Sequence, residues 1–428
     1  MQKFLNRFDF FALGNSAIIY WTVIFYFAPL ASLSYYGYFL VDNSYSAKAV
    51  LYSLIGVLFF ALGYFSRLPV FLAGKINPLK REWNFSRAVW VFGFIFISGW
   101  AVKLIKILMG GYNDLNPSQQ FLQNPFYSLL GNLGWLSYIA LAIAFISYFV
   151  LKKKNDSRFK FWGFLAWLAF GAEMIYAFPT CVRMGIIVPV VIYLIVRWYS
   201  WKKDFWPILV AIAAIVMFVF PFGNICRYGV TPDYFVKDVY SGENAVGQNV
   251  VGRIAKFGAD SFLSRINQLG VFSAVVAMSQ PLQYGKSFKE ILLTFSPPRF
   301  IWKNKPLSVN ASGNKFGHRI GVLSNDDYAT HVGPTIIGDW YMNFGIFGII
   351  FGMALTGIIF RAIYEYLIIK TEFSAPGIMI YAVLWFSFVK DIENWAAPVF
   401  SGAIRLFVIL LAINYFLIKK NEDFTYSS

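Results

Sequence analysis

Runs of about 20 consecutive apolar residues recur along this 428-residue chain, the length an α-helix needs to cross a hydrocarbon core roughly 30 Å thick. That repetition restricts the fold more than any other feature. Hydrophobic residues make up 58% of the chain and charged ones 14%, far from the even mix of a soluble globular domain. Several tryptophans, among them Trp201, Trp206 and Trp302, flank the runs, where an amphipathic ring suits the membrane interface. The pattern predicts an all-α polytopic membrane protein with ten spans, near residues 14–40, 47–66, 88–109, 127–151, 160–178, 184–199, 205–222, 344–365, 375–389 and 399–418. The first run is too long for a cleavable signal peptide and lacks a small-residue cleavage site, so it is expected to stay as a signal anchor.

Charge in the connections sets the expected orientation. Segments 67–87, 152–160 and 197–204 are rich in Lys and Arg, whereas 41–46 and 110–126 contain none. By the positive-inside rule the basic connections are cytoplasmic, and so are both termini. The net charge of +16 would suggest nucleic acid in a soluble protein, but its placement beside the spans argues against such a partner. The chain then divides into a seven-helix membrane part (1–222), a large external loop (223–343) and a three-helix C-terminal part with a cytoplasmic tail (344–428). Inside the loop, 269–279 is apolar but too short to span and reads as an interfacial or re-entrant helix. The spacing of Gly348 and Gly352 in the eighth span reads as a close helix–helix contact.

Connections as long as the 223–343 loop are usually functional. It carries an excess of cations over acids, which favours an anionic partner at the membrane surface, although headgroup binding or a solvated face explains any single one of them. Cations are densest in 297–306, PPRFIWKNKP, where prolines stiffen the segment that presents Arg299, Lys303 and Lys305. A guanidinium there can hold a phosphate bidentately, with the lysines as point charges. Trp302 can stack on a sugar ring or simply anchor the segment in the interface. The chain has two histidines, His318 and His331, and both fall in this loop. Either can serve as a general base for a hydroxyl, as can Asp339, which reads more readily as a helix-start carboxylate. No DxD or His-rich ligand set occurs in the loop, so neither a metal nor another cofactor is expected.

PPRFIWKNKP, followed by GPTIIGDWYMNFGIFG at 333–348, resembles the Wzy-type polysaccharide repeat-unit polymerases, bacterial inner-membrane enzymes of O-antigen, capsule and exopolysaccharide assembly. Arg299, Trp302, Lys305, Pro306, Asn343, Phe344 and Gly345 fit that pattern, with Met342 where an aromatic is expected and Tyr341 one position earlier. Arg183 and Arg265 also fall where such proteins tend to place an arginine. The resemblance implies an inverting glycosyl transfer outside the cytoplasm. Its donor would be a glycan on undecaprenyl pyrophosphate, its acceptor a hydroxyl of another lipid-linked repeat unit. Arg183, Arg265, Arg299, Lys303, Lys305, Trp302 and Asn343 would then bind substrate, and a flippase and a chain-length regulator would be partners. Two rival readings are an O-antigen ligase using the same donor and a transporter or flippase of lipid-linked glycans, which would show inverted repeats and broken helices.

Four ionisable residues fall inside expected spans: Lys103, Lys106, Glu173 and Arg405. Such residues are costly in lipid and default to functional candidates. The two lysines could instead snorkel to the interface, and Glu173 and Arg405 could form a buried ion pair. Cys181 and Cys226 read as isolated buried thiols more readily than as a disulfide.

Overall fold

The computed structural model describes residues 9–30, 43–79, 82–108, 133–180, 183–220, 266–278, 282–289, 313–321 and 332–418, together with isolated positions at 130, 222, 262–263, 293, 302 and 323. Among them the protein is helical, with one isolated bridge between Trp83 and Ile418. The helices are α1 (Leu13–Leu30), α2 (Asn43–Phe65), α3 (Leu68–Gly74), α4 (Phe85–Leu108), α5 (Leu136–Lys153), α6 (Phe159–Thr180), α7 (Arg183–Ser200) and α8 (Trp206–Val219). They continue with α9 (Leu269–Met278), α10 (Gly313–Arg319), α11 (Thr335–Ile369), α12 (Ala375–Lys390) and α13 (Ala396–Leu417).

Nine of these described helices are long and apolar enough to cross a membrane. At the expected span 205–222 the described helix, α8, is shorter than that. Helix α3 lies inside the first basic connection and is too short to stand out in the apolar pattern.

Two helices form the centre. From Ile139 to Ile146 every residue of α5 is fully buried, and α12 is buried over most of its length. A helix apolar on all sides belongs inside a bundle. Around them, α2 exposes Leu51, Leu54, Leu58, Leu62 and Phe65, and α4 exposes Trp90, Phe94 and Ile97. These stripes recur at helical spacing, and their extent suits lipid as the surrounding solvent.

The basic connections gather at one end. Asp9 accepts hydrogen bonds there from Trp198 Nε1 (3.0 Å), the Tyr199 hydroxyl (3.1 Å) and the Tyr364 hydroxyl (2.7 Å), joining the start of the chain to α7 and α11. Lys370 donates to the carbonyls of Ala73 (2.9 Å) and Gly74 (2.7 Å), closing the C-terminus of α3. Trp83 Nε1 reaches Asn414 Oδ1 at 3.0 Å beside the Asn84 N–H to Leu417 carbonyl bond at 2.9 Å, so α4 starts where α13 ends.

At the other end α9 is packed into the bundle. Its phenylalanine Phe272 touches Phe25 of α1 and Tyr341 of α11 at ring-centroid distances of 5.8 and 6.3 Å. A π-turn over Val23–Phe27 makes room for it. Pro29 has no N–H to return to the Ile24 carbonyl, and the Gln268 N–H donates to that carbonyl instead at 3.2 Å.

Helix α11 extends nine residues before the expected start at 344, and at 35 residues it is longer than a bilayer requires. A break at Gly345 divides it. There φ is 65° and ψ is −147°, a conformation essentially restricted to glycine. The arm before the break, 335–344, doubles back so that Trp340 lies along the arm after it. A Cβ on Gly348 would stand 2.1 Å from the Trp340 carbonyl oxygen, and one on Gly352 would stand 2.0 Å from the Trp340 ring. The expected glycine contact is therefore corrected: Gly348 and Gly352 admit the chain's own reversed arm. The close helix crossing is made by Gly357 against the Phe60 carbonyl and by Gly63 against the Ala354 carbonyl, between α11 and α2.

Candidate active site

Breaking a helix frees carbonyls that would otherwise accept intrahelical bonds. At Gly345 these belong to Met342 and Asn343, and segment 282–289 of the large loop satisfies both. The Gln283 N–H donates to Met342 and the Tyr284 N–H to Asn343, each at 3.0 Å. The same turn then passes over Phe344. Gly285, with φ of 78°, lies so close that an added Cβ would stand 3.2 Å from that ring. Phe288 packs on Trp340 and stacks with Phe344 at 4.4 and 6.2 Å.

Beneath this turn is a polar node. Asp339, Asn343 and Ser287 are buried to 0%, 0% and 2% exposure. Asp339 Oδ1 accepts from the Ser287 hydroxyl and from Asn343 Nδ2, both at 2.9 Å. Its Oδ2 accepts from the Ala396 N–H at 2.9 Å, in the first turn of α13. The carboxylate thus caps the start of another helix, where exposed N–H groups and the helix dipole favour negative charge. Asn343 Nδ2 also reaches Ser287 Oγ and the Asp339 carbonyl, both at 2.8 Å, which fixes the orientation of the amide. Its Oδ1 is buried and has no hydrogen-bond partner among the described residues. One short node therefore ties together the broken helix, the returning loop and the link between α12 and α13.

Neighbouring elements close the site. Phe316 of α10 packs on Trp395 at 5.3 Å, which brings α10 and its His318 beside the α12–α13 link. Gly333 lies against the same link, where a Cβ would meet the Glu393 carbonyl at 2.5 Å. Val275, Met278, Gln283, Phe316, Arg319, Ile320 and Met342 line a cavity of about 20 Å³ between α9, α10 and α11. It has room for a water and none for a sugar ring. Arg319 is exposed and supplies its positive charge.

The structure brings together Asp339, Asn343 and, on the adjoining α10, His318. Trp302 is partly exposed at 40%, and Arg183 opens α7 with its guanidinium 5.1 Å from the Phe220 ring centre. Arg265, Arg299, Lys303, Lys305 and His331 lie outside the described residues, as do Cys181 and Cys226. Ser287, Gln283 and Ala396 carry no motif that singles them out in the sequence. Only Gly285, two residues before Ser287 in YGKSF, signals a tight turn there.

The intramembrane charges pair differently from expectation. Lys103 of α4 forms a short ion pair with Glu173 of α6, both side chains being buried. The ammonium also lies 4.7 Å from the Tyr138 ring, 4.9 Å from Tyr176 and 5.4 Å from Trp100. Arg405 faces outward on α13. Glu173 therefore pairs with Lys103 and not with Arg405, and Lys103 does not snorkel.

Residues 319–394 match the family model described as "Putative O-antigen polymerase". The match runs from the last residue of α10 through the broken α11 to the α12–α13 link, and so contains Arg319, Asp339, Asn343 and Gly345. It agrees with the Wzy-type resemblance over the 333–348 stretch; 297–306 falls outside it. Neither a curated protein nor a solved structure matches the chain.

Proposed function

We propose that this protein is a membrane glycosyltransferase that joins lipid-linked oligosaccharide repeat units into a surface polysaccharide on the outer face of a bacterial inner membrane. The observation that carries the reading is the overlap of the polymerase-family match with the broken helix α11 and its Asp339 node, where the large loop returns to the bundle. A multi-pass helical scaffold suits substrates that never leave the bilayer. The gathering of basic connections at the opposite end supports the sidedness.

In this reading the oxygen of an acceptor hydroxyl attacks the anomeric carbon of the donor glycan. The bond from that carbon to the pyrophosphate oxygen breaks, and lipid pyrophosphate leaves with the electron pair. Arg183, Arg265, Arg299, Lys303 and Lys305 offset the charge on the leaving group, the work of a cationic clamp in place of a metal. The acceptor proton passes to His318 or His331. Asp339 is closed in by its donors and reaches no open space, so its part is to hold α13 and the 282–289 turn in place. Asn343 shares that task through its amide nitrogen, and its buried Oδ1 has no hydrogen-bond partner among the described residues.

The transporter reading is weakened on its own terms. It calls for paired breaks in related halves, and among the described residues Gly345 alone breaks a helix with positive φ.

Arg299→Ala, Arg265→Ala and Arg183→Ala test the assignment when polymer length is read on gels at matched protein level. Shortened or absent polymer is expected for each. Unchanged lengths in all three contradict the cationic clamp.

A further inference from the structure

Arg405 is exposed in the interior of α13 and takes no part in any ion pair among the described residues. Its Nε reaches back one turn to the Ser401 carbonyl at 3.4 Å, so the guanidinium climbs toward the end of α13 that Asp339 caps. At 1.5 Å per residue, Ser401 lies about 8 Å below that helix start. Gly402, three residues before Arg405 on the same face, has open space over it, since an added Cβ would meet nothing within 4 Å. On the far side of the arginine the helix presents an apolar stripe, Val408, Ile409, Tyr415 and Phe416, exposed by 59, 37, 68 and 64%. An unpaired guanidinium facing lipid is costly and needs an anion.

We propose that Arg405 and the Gly402 notch dock the phosphate of a polyisoprenyl lipid, whose chain lies along the Val408–Phe416 stripe. Phosphate supplies the charge and the bidentate geometry that guanidinium matches. A head group held here lies below the helix start that Asp339 caps, and so beside the candidate active site. The choice of a polyisoprenyl carrier rests on the proposed polymerase function; the anion site does not.

The test is native mass spectrometry of the full-length protein titrated with undecaprenyl phosphate, with dioleoyl phosphatidylglycerol and inorganic phosphate as competitors, alongside an assay for polymer. Arg405→Gln is expected to weaken undecaprenyl phosphate binding by about tenfold or more. Gly402→Leu, which leaves the charge intact and extends into open space, is expected to weaken it as well. Equal binding by wild type and both variants overturns the site. Competition by phosphatidylglycerol at equal concentration overturns the polyisoprenyl assignment, and competition by inorganic phosphate overturns the role of the stripe. If wild type binds the lipid through Arg405 yet makes no polymer, the polymerase reading fails and the site stands.

Discussion

Asp339 shows how one side chain can hold three elements. Removing its carboxylate leaves the Ser287 hydroxyl and the Ala396 N–H buried without that acceptor, while Asn343 Nδ2 keeps Ser287 Oγ and the Asp339 carbonyl. Each buried donor so stranded costs about 1–3 kcal/mol. Asp339→Ala is therefore expected to destabilise the protein by about 2 kcal/mol or more, with Asp339→Asn retaining part of the network; thermal unfolding in detergent measures both. An unchanged midpoint for Asp339→Ala contradicts the capping role. Gly345 bears on a different quantity, backbone strain. Gly345→Ala is expected to cost about 1–3 kcal/mol and to lower polymer output, since no L-residue adopts its dihedral angles comfortably. The Lys103–Glu173 pair is the third such point. Glu173→Gln leaves a buried ammonium with an amide oxygen and ring faces but no counter-charge and is expected to cost about 3–5 kcal/mol, whereas Lys103→Met combined with Glu173→Leu is expected to recover most of that loss. A double-mutant cycle on unfolding midpoints decides it, and additive losses contradict the pairing.

At the scale of elements, α2 and α11 cross where Gly63 and Gly357 bring their backbones together. Gly357→Leu is expected to abolish accumulation of folded protein, because its side chain would enter the Phe60 carbonyl and no flexible group is there to yield. Normal amounts of monodisperse protein would contradict that crossing. The same helices show what could be read from sequence. Span positions were legible because lipid demands apolar runs of a set length, and the run at 269–279, too short to cross, was expected as an interfacial or re-entrant helix, whereas α9 (Leu269–Met278) is packed into the bundle. The break in α11 was not legible. Gly345 interrupts no apolar run, and its dihedral angles leave no trace in composition, so 335–343 read as loop although it is helix. The polar node was half legible. Asp339 and Asn343 stood out by their place in GDWYMNFG, but Ser287 and Ala396 lie 52 and 57 residues from Asp339. Nothing local connects them.

For the whole molecule, the two ends of the bundle differ in kind. One collects basic connections and is pinned by the Asp9 and Lys370 hydrogen bonds. The other gathers α9, α10, the reversed arm of α11 and the α12–α13 link around buried polar groups, with the family match running through it. Under the proposed function, a multi-pass scaffold with one specialised end suits a reaction between two membrane-anchored substrates, because orientation and not capture from solution is the difficulty. The sidedness has its own check: a periplasmic-active reporter fused after residue 250 is expected to be active, and cytoplasmic activity would reverse the scheme. The central claim is tested most directly by reconstituting the purified full-length protein in vesicles with a lipid-pyrophosphate-linked repeat unit and no lipid A core. A polymerase yields a ladder of products longer than one unit, and that is the expected result. Folded protein that yields no ladder, or that extends product only when lipid A core is supplied, would contradict it.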